Sequence, residues 1–131
     1  RTDQVGHIID FLPTFLEMAK ADYPDRHPEF KEPTLPLDGK SLLPVLQGKK
    51  RKAHKYLCWH WSTNRAVRKG DWKLAWDKHE KTWELYDLAK DRTEAHDLAS
   101  RHPKLVEELT DKWNVWAQRT GVKTDKKKKK K

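Results

Sequence analysis

Hydrophobic residues near both ends of the chain recur at the three-and-four spacing that is typical of amphipathic helices. The first stretch predicts a helix over residues 9–21, with Pro13 in its first turn, where the missing N–H costs nothing. The last stretch starts at Pro103 and ends before Gly121, and it predicts the clearest helix of the chain. The apolar stripe of this last helix consists of Leu105, Val106, Leu109, Trp113, Trp116 and Ala117.

Between these helices the period changes to two, which is typical of β-strands. In YLCWHW, residues 56–61, Trp59 and Trp61 alternate with Cys58 and His60. We therefore predict an α+β fold, in which about four antiparallel strands pack against the C-terminal helix and that helix covers the tryptophans of the strands. The further strands are predicted at 65–68, 72–76 and 82–87, with a tight turn at Lys69-Gly70 where glycine supplies the positive φ.

The segment between the first helix and the strands has the composition of a linker. Residues 22–40 contain four of the seven prolines and show no periodicity, which predicts an extended connection. Asp38-Gly39 is a turn signal, and Ser41 is placed to cap a short helix over 42–46. The basic residues 49–52, KKRK, are expected to form a solvated loop.

Charge and composition narrow the possible partners. The formal net charge is +9, but six of these charges belong to the terminal lysines, which leaves +3 for the remainder. We expect the tail, residues 123–131, to be disordered. The single cysteine, Cys58, excludes an intrachain disulfide, and no apolar run is long enough to span a membrane.

Two kinds of binding site can be weighed from the residues alone. Aromatic residues interleaved with Arg and Lys on a sheet are typical of single-strand nucleic-acid binders, so the alternative function is a basic aromatic module that binds nucleic acid or a sulfated polysaccharide. Core packing is the more economical role for these tryptophans. Seven histidines suggest metal binding, yet none shows the spacing of a zinc site, and His54, His60 and His79 would have to converge through the tertiary fold.

Four segments, in order, resemble the C-terminal portion of the sulfatases, in particular the arylsulfatase type. They cover nearly the whole chain except the lysine tail, and their order and spacing are more specific than any one of them. The segments are HIIDFLPTFLEMA at 7–19, LDGKSLLPVLQG at 37–48, NRAVRKGDWKL at 64–74 and WELYDLAKDRTEAHDLASRHP at 83–103.

The resemblance implies a division of the chain. Residues 1–21 would be the last helix of a large catalytic domain like that of alkaline phosphatase, which accounts for a wide apolar helix face in so short a chain. Residues 22–54 would be the crossover linker with its short helix, and 55–122 the C-terminal subdomain. Because the chain starts at Arg1 in the middle of a pattern, we expect it to be part of a longer protein.

The resemblance also implies a catalytic apparatus that this segment lacks. Sulfatases use a formylglycine made from the first residue of a C/S-x-P-x-R motif, together with a calcium ion held by Asp and Asn oxygens. Here Cys58 begins CWHWS, with His60 and Ser62 in place of the proline and the arginine. We therefore expect no catalytic residue, metal or cofactor in this segment, which alone should be inactive, and we interpret Cys58 as a small apolar filler. Calcium and formylglycine are expected in the upstream domain.

Three residues are candidates for substrate binding by resemblance: His60, Asn64 and Arg65. On a hairpin that faces the catalytic domain, they would help to wall the cleft for a sulfated small molecule or glycan. The alternative is structural, with Asn64 supporting the turn and Arg65 pairing with an acid at the domain boundary.

The expected partners follow from the same resemblance. The first is the N-terminal catalytic domain of the same protein, and the second is the sulfated substrate of the whole enzyme. We expect no specific nucleic-acid partner and no membrane association. A periplasmic or secreted location is implied for the full-length protein.

Overall fold

The computed structural model describes residues 1–122, which form two compact units. The first unit comprises Arg1–His54, and the second begins at Lys55. The predicted lysine tail, residues 123–131, lies outside the described residues. Within residues 1–122, no helix combines the length and the apolar character that crossing a bilayer requires.

One principal helix organises the first unit. A 3-10 turn, Ile8–Asp10, continues into helix α1, Phe11–Ala19. Helix α1 ends because Lys20 adopts the left-handed conformation, with φ of 52°. The predicted helix is confirmed, although it begins as a 3-10 turn and ends at Ala19 rather than at residue 21.

The linker returns to this helix and forms a second, short one. Helix α2 spans Leu43–Leu46, and the Ser41 hydroxyl accepts the Leu43 N–H at 3.0 Å near its start. Earlier in the linker, Arg26 and Pro33 form an isolated antiparallel bridge. The predicted turn at Asp38-Gly39 brings the chain so close to the helix that a Cβ on Gly39 would lie 1.9 Å from the Ile9 carbonyl oxygen. Glycine is therefore required at this position.

The second unit contains a four-stranded antiparallel meander in the order β1-β2-β3-β4. Gly70, with φ of 58°, forms the tight turn between β2 and β3, as the sequence predicts. The observed strands, each within a residue or so of its predicted position, are β1 Leu57–Trp61, β2 Asn64–Lys69, β3 Trp72–Asp77 and β4 Thr82–Asp87.

The C-terminal helix covers one face of this sheet and completes the predicted α+β fold. Helix α3 spans Pro103–Arg119, with the proline in its first turn. Trp113 is fully buried, and its indole N–H donates to the Trp59 carbonyl at 2.9 Å, which fixes the helix over β1. The core of this unit consists of Val67, Leu74 and Leu85 from the strands and Leu109, Trp113 and Ala117 from α3.

The strand register shows which face α3 covers. Cys58 lies opposite Val67 and therefore shares the covered face with the core, whereas Trp59 and Trp61 lie on the other face. The prediction that α3 covers the tryptophans of the strands is correct for Trp72, Trp76 and Trp83 and wrong for Trp59 and Trp61. Trp61 is 81% exposed.

Acidic side chains organise the connection from β4 to α3. Asp91 accepts the N–H groups of Ala95 and His96 at 2.9 and 2.8 Å, and these bonds lower the pKa of its carboxyl. Asp97 accepts the N–H of Leu85 at 2.9 Å, which attaches the loop to β4. The acids of this segment therefore stabilise the turns between β4 and α3.

Candidate functional site

The three predicted site residues lie where the first hairpin turns. His60 and Arg65 are directly opposite each other on β1 and β2, and both side chains are on the face that α3 covers. The His60 ring lies 6.1 Å from the Trp113 ring, measured between centroids. Asn64 is on the opposite face, where its side-chain oxygen accepts the Lys78 N–H at 3.4 Å. His60 and Arg65 are therefore neighbours on one face of the sheet. The Asn64 side chain instead links the β1–β2 turn to the β3–β4 turn through its hydrogen bond with Lys78.

Arg65 occupies an unusual position for a cation. Its guanidinium carbon lies 5.0 Å from the centroid of the Trp113 ring and 5.5 Å from that of Trp76. Within residues 1–122, no carboxylate lies within ion-pair distance of this guanidinium, and its buried Nε–H has no hydrogen-bond partner. Among the described residues, the charge of Arg65 is therefore stabilised by cation–π contacts with the two tryptophan rings.

A cleft opens beside Arg65 at the end of the sheet where the β1–β2 and β3–β4 turns meet. The Thr63 hydroxyl at its edge is buried and has no partner among the described residues. The cleft measures about 530 Å³, within the usual range of small-molecule sites. Its lining consists of Thr63, Arg65, Trp76, Lys78, His79 and Lys81.

Most of this cleft was not predicted from the sequence. Lys78, His79 and Lys81 lie in a segment, DKHEK, that reads only as a polar loop. In a meander, however, the first and third turns lie at the same end of the sheet, so the strand order places this loop beside the β1–β2 turn. The same loop carries Asp77, which accepts the His79 N–H at 2.6 Å, and the exposed Glu80. The positive charge of the cleft is therefore confined to the part lined by Arg65, Lys78 and Lys81.

The first unit contains a buried polar network that sequence reasoning missed. Asp10 is fully buried; Arg51 Nη2 lies 2.8 Å and His54 Nε2 lies 2.7 Å from its carboxylate oxygens. The same carboxylate accepts the N–H groups of Lys40 at 2.8 Å and His7 at 2.9 Å. Burial alone would raise the pKa of Asp10, but these four donors outweigh it and lower the pKa from 3.8 to about 2.

Arg51 corrects the interpretation of residues 49–52 as a solvated loop. Its side chain is only 5% exposed, and its guanidinium also donates to the carbonyl groups of Lys40 and Val5, each at 2.7 Å. The three lysines of this run, Lys49, Lys50 and Lys52, are exposed. One member of an apparently uniform basic run therefore holds the fold of the first unit together.

The cysteine and the histidines of the described part of the chain are the candidate nucleophile and the candidate metal ligands. Burial raises the pKa of the Cys58 thiol to about 11, which makes it a weak nucleophile. Within residues 1–122, no group of three His, Cys, Asp or Glu side chains is arranged to hold a metal ion. His54 belongs to the Asp10 network, whereas His60 and His79 lie in the second unit.

Comparison with known proteins gives matches over almost the whole chain. A family model described as N-sulphoglucosamine sulphohydrolase, C-terminal, matches residues 1–119. An uncharacterized sulfatase of Schizosaccharomyces pombe is 34% identical over 127 residues, which cover 94% of this chain and 23% of that protein. A sulfatase of Formosa agariphila is 29% identical over 135 residues, covering 88% of this chain and 23% of that protein.

Solved structures agree with these sequence matches. The structure of a 2-O GAG sulfatase superposes with a TM-score of 0.61 at 28% identity, covering 86% of this chain and 24% of that chain. The chain thus spans about a quarter of the length of its relatives, and its sheet and helix are their C-terminal part.

Proposed function

The chain belongs to the family of sulfatase C-terminal regions, and we propose that it acts as the C-terminal part of a sulfuric ester hydrolase whose catalytic centre lies upstream in the same protein. The calcium ion and the formylglycine of such an enzyme would belong to that upstream domain. In this arrangement the present segment has two tasks, which are to pack against the catalytic domain and to form one wall of the substrate cleft.

The inverted burial of α1 is the observation that supports the packing role. The buried residues of this helix and its 3-10 turn are polar, Asp10 and Thr14, whereas large apolar residues on the same elements are exposed. A helix normally buries its apolar stripe, so this face is suited to a domain that lies upstream in the chain. The exposed apolar residues are Ile8, Ile9, Phe11, Leu12, Phe15 and Met18.

The hairpin supports the role of a cleft wall. His60 and Arg65 lie opposite each other on β1 and β2 and share one face, while Asn64 lies beside them at the turn; both strands are anchored to the core by Val67 and Trp113. Residues on such a frame can be held at fixed positions toward a substrate, because a site built on strands is more precise than one built on loops. A cation that has no carboxylate partner in the described chain is suited to an anionic substrate.

Kinetics of the complete enzyme test this proposal. The variants His60→Ala, Asn64→Ala and Arg65→Gln are made in the full reading frame and assayed with a sulfated oligosaccharide. Loss of a substrate contact at Arg65 should raise KM about tenfold with little change in kcat. Arg68→Gln is the matched control, because Arg68 is on the same strand, faces the other side and contacts the Gly70 carbonyl at 2.7 Å. Unchanged KM in all three variants would contradict a wall role.

The alternative, a basic aromatic module for nucleic acid, is less well supported. Of the seven tryptophans only Trp61 is exposed, so the sheet does not offer the row of free rings on which successive bases stack. The discriminating measurement is polyanion binding after removal of residues 123–131. Binding that survives with a steep salt dependence would favour the module, and binding that disappears would assign it to the lysine tail.

A further inference from the structure

The guanidinium of Arg65 has unused hydrogen-bonding capacity. An arginine carries five N–H donors in a planar fork, and within residues 1–122 the buried Nε–H of Arg65 has no hydrogen-bond partner. A buried N–H without a partner destabilises a fold, because the group has lost its hydrogen bonds to water. The second unpartnered buried group of the described chain, the Thr63 hydroxyl, lines the same cleft. The two groups are therefore concentrated at one place.

The surroundings of Arg65 fix the fork and add further donors. The rings of Trp76 and Trp113 lie against the guanidinium, so its orientation is set before any ligand arrives. Lys78, His79 and Lys81 line the cleft from the facing turn. A preoriented guanidinium, a hydroxyl and flexible ammonium groups around one cleft are the donors that a tetrahedral or planar oxyanion requires.

We propose that this cleft binds a single oxyanion group, the sulfate or the carboxylate of a sugar residue, with Arg65 as the central ligand. The inference rests on the proposed function, because it assigns to the hairpin wall the group of the substrate that it recognises. Asp77 and Glu80 in the same turn limit the positive field to this spot. The site therefore suits one discrete anionic group, and a long polyanion would need a continuous cationic track.

Anion titration of the chain itself tests this site. The indole N–H signals of Trp76 and Trp113 are followed by two-dimensional NMR while sodium sulfate is added, and sodium chloride at equal ionic strength is the reference. We expect saturable shifts with sulfate only, and Arg65→Gln should weaken binding at least about tenfold. Arg68→Gln removes the same charge from the other face and should bind sulfate like the wild type.

A second variant and two sugar probes complete the design. Lys78→Gln combined with Lys81→Gln changes only exposed side chains, so it reports on the site even if Arg65→Gln unfolds, and it should weaken binding about threefold. Saturable shifts with glucose 6-sulfate support a sulfated ligand, and those with glucuronate support a carboxylated one. Shifts that follow ionic strength alone, or equal binding by wild type and both cleft variants, overturn the proposal.

The outcome is separable from the proposed function, since the titration needs no upstream domain. Sulfate binding by a chain whose reading frame encodes no sulfatase motif would refute the hydrolase role and leave the anion site intact. A sulfatase motif upstream combined with unsaturable titrations would refute the site and leave the hydrolase role intact.

Discussion

Replacing Asp10 by asparagine removes the charge on which the first unit is organised. The carboxylate is fully buried and receives donors from four residues, namely His7, Lys40, Arg51 and His54. Asparagine keeps one acceptor oxygen but replaces the other with an NH₂ group, which cannot accept a hydrogen bond. The guanidinium of Arg51, only 5% exposed, then loses its counter-charge.

Two independent quantities give the loss of folding free energy in Asp10→Asn: the energy of a broken buried ion pair and the lowered pKa of Asp10. Removing one partner of a buried ion pair destabilises a protein by about 3–5 kcal/mol, and the oxygen retained by asparagine places this change near 3 kcal/mol. Independently, the pKa of Asp10 is lowered from 3.8 to about 2, which corresponds to about 2 kcal/mol of stability from ionisation alone.

The sign of the pH dependence follows from the lowered pKa. The contribution of ionised Asp10 is fully present above about pH 4, the ordinary range of an aspartate, and it is lost as the pH falls through about 2. The Asp10→Asn variant should lack this acid transition. The chemical shift of the Lys40 amide proton, which donates to Asp10, reports the titration directly.

Hydrogen exchange measures the stability change in the first unit. The amides of Lys40 and Leu42 donate to Asp10 and Thr14, and their protection should fall about a hundredfold in Asp10→Asn. All seven tryptophans lie in the second unit, so an unchanged tryptophan fluorescence melt shows that the second unit is intact. Asp22→Asn, an exposed change of the same charge, is the control. Protection that falls equally in both variants, or in neither, would show that the Asp10 charge does not stabilise the first unit.

Three further changes have definite expected outcomes. Gly39→Ala places a Cβ 1.9 Å from the Ile9 carbonyl oxygen and should reduce the exchange protection of the Lys40 amide at least as much as Asp10→Asn. Gly6→Ala is the control and should have little effect, because its Cβ would lie 3.5 Å from the nearest atom. Equal protection of Lys40 in the two variants would contradict the requirement for glycine at position 39. Cys58, with a pKa of about 11 instead of 9.0, should react with iodoacetamide at pH 8 about a hundredfold more slowly than in urea, and equal rates would argue against its burial. Trp113→Phe removes a hydrogen bond of 2.9 Å from the core. This change should destabilise the second unit by about 2 kcal/mol, which lowers the melting temperature measured by circular dichroism by about 10 °C. An unchanged melting temperature would show that the indole of Trp113 is dispensable.

The elements of the fold could be predicted because their signals are local. The alternation along residues 82–87 and the glycine at 70 depend on neighbouring residues only, and both the strand and the hairpin are present. The face covered by α3 could not be read in the same way. Alternation separates Trp59 from Cys58, but it does not say which of them the helix covers. That depends on the cross-strand register, in which Cys58 lies opposite Val67.

The Asp10 network and the Arg65 cleft could not be predicted as the helices and strands could, because both depend on contacts between residues that are distant in the sequence. From the sequence, Asp10 is an ordinary polar position in a helix, and its partners Lys40, Arg51 and His54 lie thirty or more residues later in the chain. Arg65 was identified through the family resemblance, whereas its partners in the cleft come from a turn that carries no motif. A buried charge and a converging cleft are therefore features of the tertiary structure, and composition does not reveal them.

The chain belongs to the family of sulfatase C-terminal regions, and we propose that the full-length protein is an active sulfatase. The most direct test is to sequence the coding DNA upstream of Arg1 and read it in frame. We expect a large domain that carries a C/S-x-P-x-R motif, with aspartates before it that are suited to calcium. A start codon close to Arg1, or a large domain without that motif, would contradict it.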